Sequence, residues 1–291
     1  MINKLVLGTV QLGLNYGINN LLGKPSLERA FEILNTAFDN GIDTLDTAEA
    51  YGDSLKVIGA FQKKYPEKTF KIISKLSPNV NITNEELQAH INTSCKVLNV
   101  EQLYGYMFHN YSHFKQNSGL YDELLKIKKK KGLLNIGISL YTNDEIIDIL
   151  TNFSGFDFIQ IPFNLLDNHS KRADIILKAK DKGISIHTRS TFLQGLFFLN
   201  QDKLSDKMTP LKPYLNEIKK MESDYNLTTD KLALQYVLQK EYIDHVLIGV
   251  DSAEQLIDNI SVCKKNISIP SKKIDLINVK ETQLLNPSTW K

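Results

Sequence analysis

The sequence predicts an α/β protein, a (β/α)8 TIM barrel, formed by residues 1–291 as a single domain. Short apolar runs alternate with amphipathic helical stretches from end to end. Strands joined through helices must pair in parallel, because each helix serves as a crossover. A chain of 291 residues, 42% hydrophobic, has enough material for eight such units around one core. No Pro/Gly/Ser-rich linker or change of composition divides it.

The strand-like runs are residues 4–9, 44–46, 70–75, 103–109, 134–139, 156–162, 184–189 and 245–249. Between the first two, Leu27, Ala30, Phe31, Leu34 and Phe38 follow helical spacing, and Asn40-Gly41 signals a left-handed stop. Capping boxes open three later helices at Thr83-x-x-Glu86, Thr142-x-x-Glu145 and Ser252-x-x-Gln255. Lys131-Gly132 and Lys182-Gly183 punctuate the helix-to-strand turns. Residues 197–212, with Thr209-Pro210, break the rhythm and read as an insertion, followed by extra helix through Gln239. Cys95 shares an apolar stripe with Leu87, Ile91 and Leu98, so core packing is its expected role; it and Cys263 cannot make a disulfide framework.

A net charge of +2 gives no basis for a nucleic-acid or membrane-surface partner. Of the 35 basic residues only Arg29, Arg172 and Arg189 are arginines, so an arginine at a strand end stands out. The N-terminus lacks a leader pattern, and no apolar stretch approaches the ~20 residues of a membrane span. The expected location is cytoplasmic. His90, His113, His169, His187 and His245 show no metal-ligand spacing, and no metal is expected.

In such a barrel the active site lies at the C-terminal ends of the strands. The polar residues there are Asp46, Tyr51 in the following loop, Lys75, His109, Ser139, Gln160 and Arg189. A tyrosine with a pKa near ~10 needs help to exchange protons at neutrality, and a neighbouring ammonium supplies it. Lys75 is expected to lower the Tyr51 pKa, Asp46 to hold Lys75 charged, and His109 to orient a carbonyl. Nothing in the chain supplies hydride, which implies a nicotinamide cofactor.

The motifs Gly41-Ile42-Asp43-Thr44-Leu45-Asp46-Thr47-Ala48-Glu49-Ala50-Tyr51-Gly52, Ile73-Ser74-Lys75, Met107-Phe108-His109, Gly137-Ile138-Ser139 and Gln160-Ile161-Pro162 resemble those of the aldo-keto reductases. The resemblance covers nearly the whole chain. It implies a catalytic tetrad of Asp46, Tyr51, Lys75 and His109. It also implies a nicotinamide site at Ser139 and Gln160, with Leu140 where an asparagine is usual. Arg189 stands where an aromatic often stacks on the nicotinamide; it is expected to stack there or to reach the pyrophosphate, the alternative being a strand-end arginine paired with a carboxylate. Gly8, Thr9, Gly195, Gly249, Ser252, Gln255 and Asn259 complete the cofactor-binding set carried over. The arginine that often grips a 2′-phosphate is absent, Gln255 and Asp258-Asn259 occupying that stretch. Family habit implies NADPH, and the residues leave NADH open. Tyr16, Tyr111, His113 and Trp290 are candidates to line or cover a substrate pocket. The stretches around Val10-Gln11-Leu12-Gly13 and Arg189-Ser190 resemble bacterial members associated with surface sugars, which points to reduction of an aldehyde or ketone, a sugar carbonyl among them. Two other readings fit a barrel of this kind: a regulatory nicotinamide-binding subunit similar to the potassium-channel β subunits, and a sugar epimerase.

Overall fold

In the computed structural model, which describes residues 1–265 and 267–290, the apolar runs become eight strands. These are β1 (Leu5–Gly8), β2 (Thr44–Asp46), β3 (Lys71–Leu76), β4 (Leu103–Phe108), β5 (Leu133–Ser139), β6 (Phe158–Pro162), β7 (Ser185–Arg189) and β8 (His245–Ile248). All pair in parallel, in sequence order, and β8 returns to β1 through Leu5 opposite Val246, closing the barrel. The helices are α1 (Val10–Gly13), α2 (Leu27–Asp39), α3 (Ser54–Lys64), α4 (Asn84–Leu98), α5 (Tyr111–Gln116), α6 (Gly119–Lys129), α7 (Asn143–Asn152), α8 (His169–Asp181), α9 (Lys212–Tyr225), α10 (Thr229–Leu238), α11 (Ala253–Lys264) and α12 (Ser271–Asp275). None is long and apolar enough to cross a membrane.

Local sequence accounts for the element ends. Ser26 accepts the Arg29 N–H to start α2, and Gly41, at φ +86°, turns the chain out of it. The buried face of α2 is Ala30, Phe31, Ile33, Leu34 and Ala37. Leu27, expected on that face, is exposed at the first position of the helix. Thr83 and Thr142 form full capping boxes. At α11 the box slips by one residue: Ser252 accepts from the Gln255 N–H, but Gln255 Oε1 takes the N–H of Asp251. The irregular stretch resolves into short 3-10 segments at Leu193–Phe198, Gln201–Lys203 and Asp206–Leu211, with the extra helix α9 after them.

The barrel interior is filled from its floor. Ile73, Met107 and Phe158 pack together, and the Phe158 ring lies over Gly137, where a Cβ would collide with it, and close against Gly105, where a Cβ would be tight at 3.2 Å. Phe158 stacks on His187 (centroids 4.5 Å apart), which meets His245 edge-on at 4.5 Å. With the floor sealed by apolar and neutral rings, the polar side chains collect at the opposite, C-terminal end. Cys95 and Cys263 are buried and unbridged.

Candidate active site

A cavity of about 970 Å³ opens at that C-terminal end. Asp46 stands at the end of β2 and Lys75 near the end of β3, both almost fully buried. Lys75 Nζ donates to Asp46 Oδ1 and, at 2.9 Å, to the Thr47 carbonyl. The other carboxylate oxygen of Asp46 accepts Gln160 Nε2 at 2.7 Å from β6. Three strands thus meet in one chain of hydrogen bonds, and burying the ammonium is tolerable only because each polar atom has a partner.

Tyr51 lies in the loop between β2 and α3. Its N–H donates to the Ala48 carbonyl at 2.9 Å, and its own carbonyl accepts the Ser54 N–H at 3.0 Å. Gly52 continues at φ +54°; a Cβ there would lie 2.6 Å from the Gly13 carbonyl, so only glycine lets α1 press against the tyrosine turn. The Tyr51 ring meets His109 edge-on at 5.8 Å, with Lys75 Nζ 5.0 Å from its centroid.

Burial dominates the electrostatics of the site. Burial, reinforced by the Asp46 carboxylate, pushes the Tyr51 phenol well above its ordinary value, with Arg189 acting weakly the other way. Burial also pulls the Lys75 ammonium down, against the raising influence of Asp46. Burial, then the Lys75 and Arg189 charges, bring His109 down to about 4. Near neutrality the site therefore holds a protonated phenol beside an uncharged imidazole.

The cofactor and substrate candidates divide by position. Gly8, Thr9, Ser139, Gln160, Arg189, Gly195, Gly249, Gln255 and Asn259 line the cavity, as do Tyr16 and Tyr111. Thr9 spends its hydroxyl on the Asp46 carbonyl at 3.0 Å, so its side chain ties β1 to β2. Tyr16 accepts from Gln194 Nε2 at 2.7 Å, and Tyr111 bonds Asp148 at 2.9 Å. Three candidates lie off the cavity. His113 is buried in α5 against Phe108, because Asn110 caps that helix and turns the ring behind β4. Ser252 is occupied in capping α11. Trp290 donates to the Leu284 carbonyl at 2.9 Å and packs into its own tail, while Asn286, Pro287 and Ser288 from that tail reach the cavity.

Arg189 has no carboxylate partner among the described residues. Its guanidinium lies 3.9 Å from the centroid of the Tyr141 ring and donates to the Leu140 carbonyl at 3.3 Å. Tyr141 escaped the sequence reading, since one tyrosine after a strand carries no signal of its own. It is held at both backbone ends, its N–H on Glu145 at 2.6 Å and its carbonyl on Arg172 at 2.6 Å. Gln11 was not among the expected cofactor residues; it lines the cavity beside Gly249, and its buried Oε1 has no partner among the described residues.

Comparison with known proteins gives the family and the fold. The profile of the Aldo/keto reductase family matches residues 4–280. An NADH-specific methylglyoxal reductase of Escherichia coli (strain K12) is 22% identical over 264 residues, which is 78% of this chain and 80% of that protein. Among solved structures, an aldo-keto reductase from Bacillus halodurans in its holo form superposes with a TM-score of 0.73 at 17% identity, covering 94% of this chain and 92% of that one. A putative aldo-keto reductase from Pseudomonas aeruginosa gives 0.65 at 20%, covering 89% and 88%. With a closed eight-stranded barrel, a polar cavity at its C-terminal end and a family profile spanning nearly its whole length, the chain belongs to the aldo/keto reductase family of oxidoreductases.

Proposed function

We propose that the protein reduces an aldehyde or ketone to an alcohol, with Tyr51 as the general acid. The observation that carries this reading is the meeting of Tyr51, His109 and the Lys75–Asp46 pair at one wall of the cavity. A protonated phenol is what a carbonyl needs as hydride arrives, since its oxygen then gains negative charge. The neutral His109 ring offers an N–H to the carbonyl without competing as an acid. Lys75, 5.0 Å from the Tyr51 ring, stabilises the phenolate left behind. Asp46 holds Lys75 in place, and Gln160 holds Asp46.

The cavity fits a nicotinamide nucleotide. It has the volume, a buried Gln11 oxygen lacking a partner, and an arginine with donors to spare. Ser139, Gln160 and Arg189 would hold the nicotinamide half, and Gly249, Gln255 and Asn259 the adenosine half. When bound, the cofactor supplies the hydride. Family habit implies NADPH, but Asp230, Asp251 and Asp258 also line the cavity, an unfavourable setting for a 2′-phosphate. Together with the NADH-specific relative, this supports NADH as the better of the two.

The test follows nucleotide absorbance with NADH and with NADPH against methylglyoxal and a panel of aldehydes, ketones and aldoses. Turnover should appear with at least one carbonyl. In Tyr51→Phe it should fall by ~10²–10⁴-fold with nucleotide affinity kept, the usual size of a general-acid contribution. Wild-type turnover in that variant would remove Tyr51 from the chemistry.

A further inference from the structure

Glu49 stands between Asp46 and Tyr51 in the chain, yet it does not line the cavity. Its carboxylate is about 10% exposed, an expensive placement for a charge unless its partners compensate. Those partners come from three separate elements. Tyr106 of β4, fully buried, donates its hydroxyl at 2.6 Å, and the Ser77 N–H just after β3 donates at 3.0 Å. From α4, Ser94 Oγ donates at 3.2 Å and His90 Nε2 lies 2.9 Å away. The backbone adds one more tie, Glu49 N–H to the Lys75 carbonyl at 3.2 Å.

We propose that Glu49 is a positioning residue, fixing the loop that carries Tyr51 against the strands that carry Lys75 and His109. Ser77 is two residues beyond Lys75, and Tyr106 three before His109. The carboxylate therefore holds the backbone just beyond β3, through the Ser77 N–H, and the Tyr106 side chain of β4, each close in sequence to a reacting residue. Among the described residues, no other side chain of the 48–51 stretch reaches as many elements. Thr47 is tied to β3 at the loop's start, and Ser54 at its end bonds Thr9 and Thr47 through its hydroxyl, so both ends are anchored and Glu49 holds the stretch between them. Loss of the clamp frees the phenol to move relative to the ammonium and the imidazole while the cofactor-binding wall stays intact.

This rests on Tyr51 acting as the acid, and the experiment separates the two. Glu49→Ala and Glu49→Gln are compared with Tyr51→Phe and with Leu215→Ala, a core truncation in α9 remote from the site. The measurements are kcat and KM for the best carbonyl, the Kd and stoichiometry of nucleotide binding by fluorescence, and Tm. Because misplacement by ~1 Å costs up to ~10²-fold, kcat should fall about tenfold or more in Glu49→Ala, and less in Glu49→Gln, which keeps an accepting oxygen. KM and nucleotide Kd should stay within about twofold in both, as expected when orientation and not binding is lost. Adding Tyr106→Phe to Glu49→Ala should cost nothing further, since the two share one interaction. Leu215→Ala should lower Tm and keep kcat. Wild-type kcat in Glu49→Gln while Tyr51→Phe is inactive would overturn the proposal. So would a kcat loss matched by lost nucleotide-binding sites, or an equal kcat loss in Leu215→Ala. Should Glu49→Ala fail to fold, Glu49→Gln decides by the same criteria. Wild-type turnover in Tyr51→Phe instead strikes the acid assignment.

Discussion

At the scale of single residues, Lys75 and Arg189 carry the most testable chemistry. Lys75 is held by Asp46 and the Thr47 carbonyl, so replacing it with methionine removes a charge and leaves a buried carboxylate behind. Both changes push the Tyr51 phenol further up. The pH profile of alcohol oxidation in Lys75→Met should shift to higher pH, and a profile unmoved from wild type would disprove the coupling. Arg189 is different, a stacked guanidinium with free donors and no carboxylate within reach among the described residues. If it serves the nicotinamide half, Arg189→Ala weakens NADH and NADPH by similar factors, roughly tenfold or more for a charged hydrogen bond. Titrations with both nucleotides decide the matter; a loss confined to NADPH would place Arg189 at the 2′-phosphate instead. That Asp46, Tyr51, Lys75 and His109 meet was legible because each lies in a motif at a strand end or in the loop that follows it. Tyr141 and Glu49 were not, since each acts through partners distant in sequence.

At the scale of elements, the loops after β5 and β6 are locked by the other unusual arginine. Arg172, in the first turn of α8, binds both oxygens of Asp167 at 2.6 and 2.7 Å, Asn143 Oδ1 at 2.7 Å and the Tyr141 carbonyl at 2.6 Å. It is nearly buried, so truncation strands the Asp167 carboxylate. Arg172→Ala should cost about 3–5 kcal/mol in urea unfolding. Arg172→Met combined with Asp167→Leu should recover much of that loss, because no charge is then left unpaired. A single-variant loss below about 1 kcal/mol would show the pair to be solvated in solution, as surface pairs are. Element ends were largely readable from caps and glycines. The exception at Lys131-Gly132 is instructive: the positive φ falls on Lys131, at +61°, not on the glycine. Gly132 is needed for closeness, since a Cβ there would sit 2.8 Å from Ile127 Cγ2.

For the molecule as a whole, four histidines are held uncharged by burial. His109 is brought down to about 4, His187 well below its ordinary 6.5, and His113 and His245 in the same direction. The unfolded chain takes up these protons near ~6.5, before the folded one does. Their contribution is therefore complete above that pH and is lost as pH falls towards the folded values. His90, raised by Glu49, opposes this weakly. Tm should decline steadily from pH 7 to pH 5, and His187→Asn should decline less steeply than wild type. A Tm independent of pH over that interval would mean that these rings are solvated.

The order of strands and helices, the closure into a barrel and the end at which polar residues gather are set by local pattern, because period, caps and strand length are written within a few residues. Tertiary structure alone decided how the site is charged and held. Burial and the Asp46 carboxylate hold the Tyr51 phenol high, and Asp46 is itself paired with Lys75 across 29 positions. His113 and Trp290 turn away because their own helix and tail claim them first. Glu49 finds its partners on β4 and α4, up to 57 positions away. Burial and partner choice are properties of the assembled barrel, and no window of sequence contains both members of such pairs.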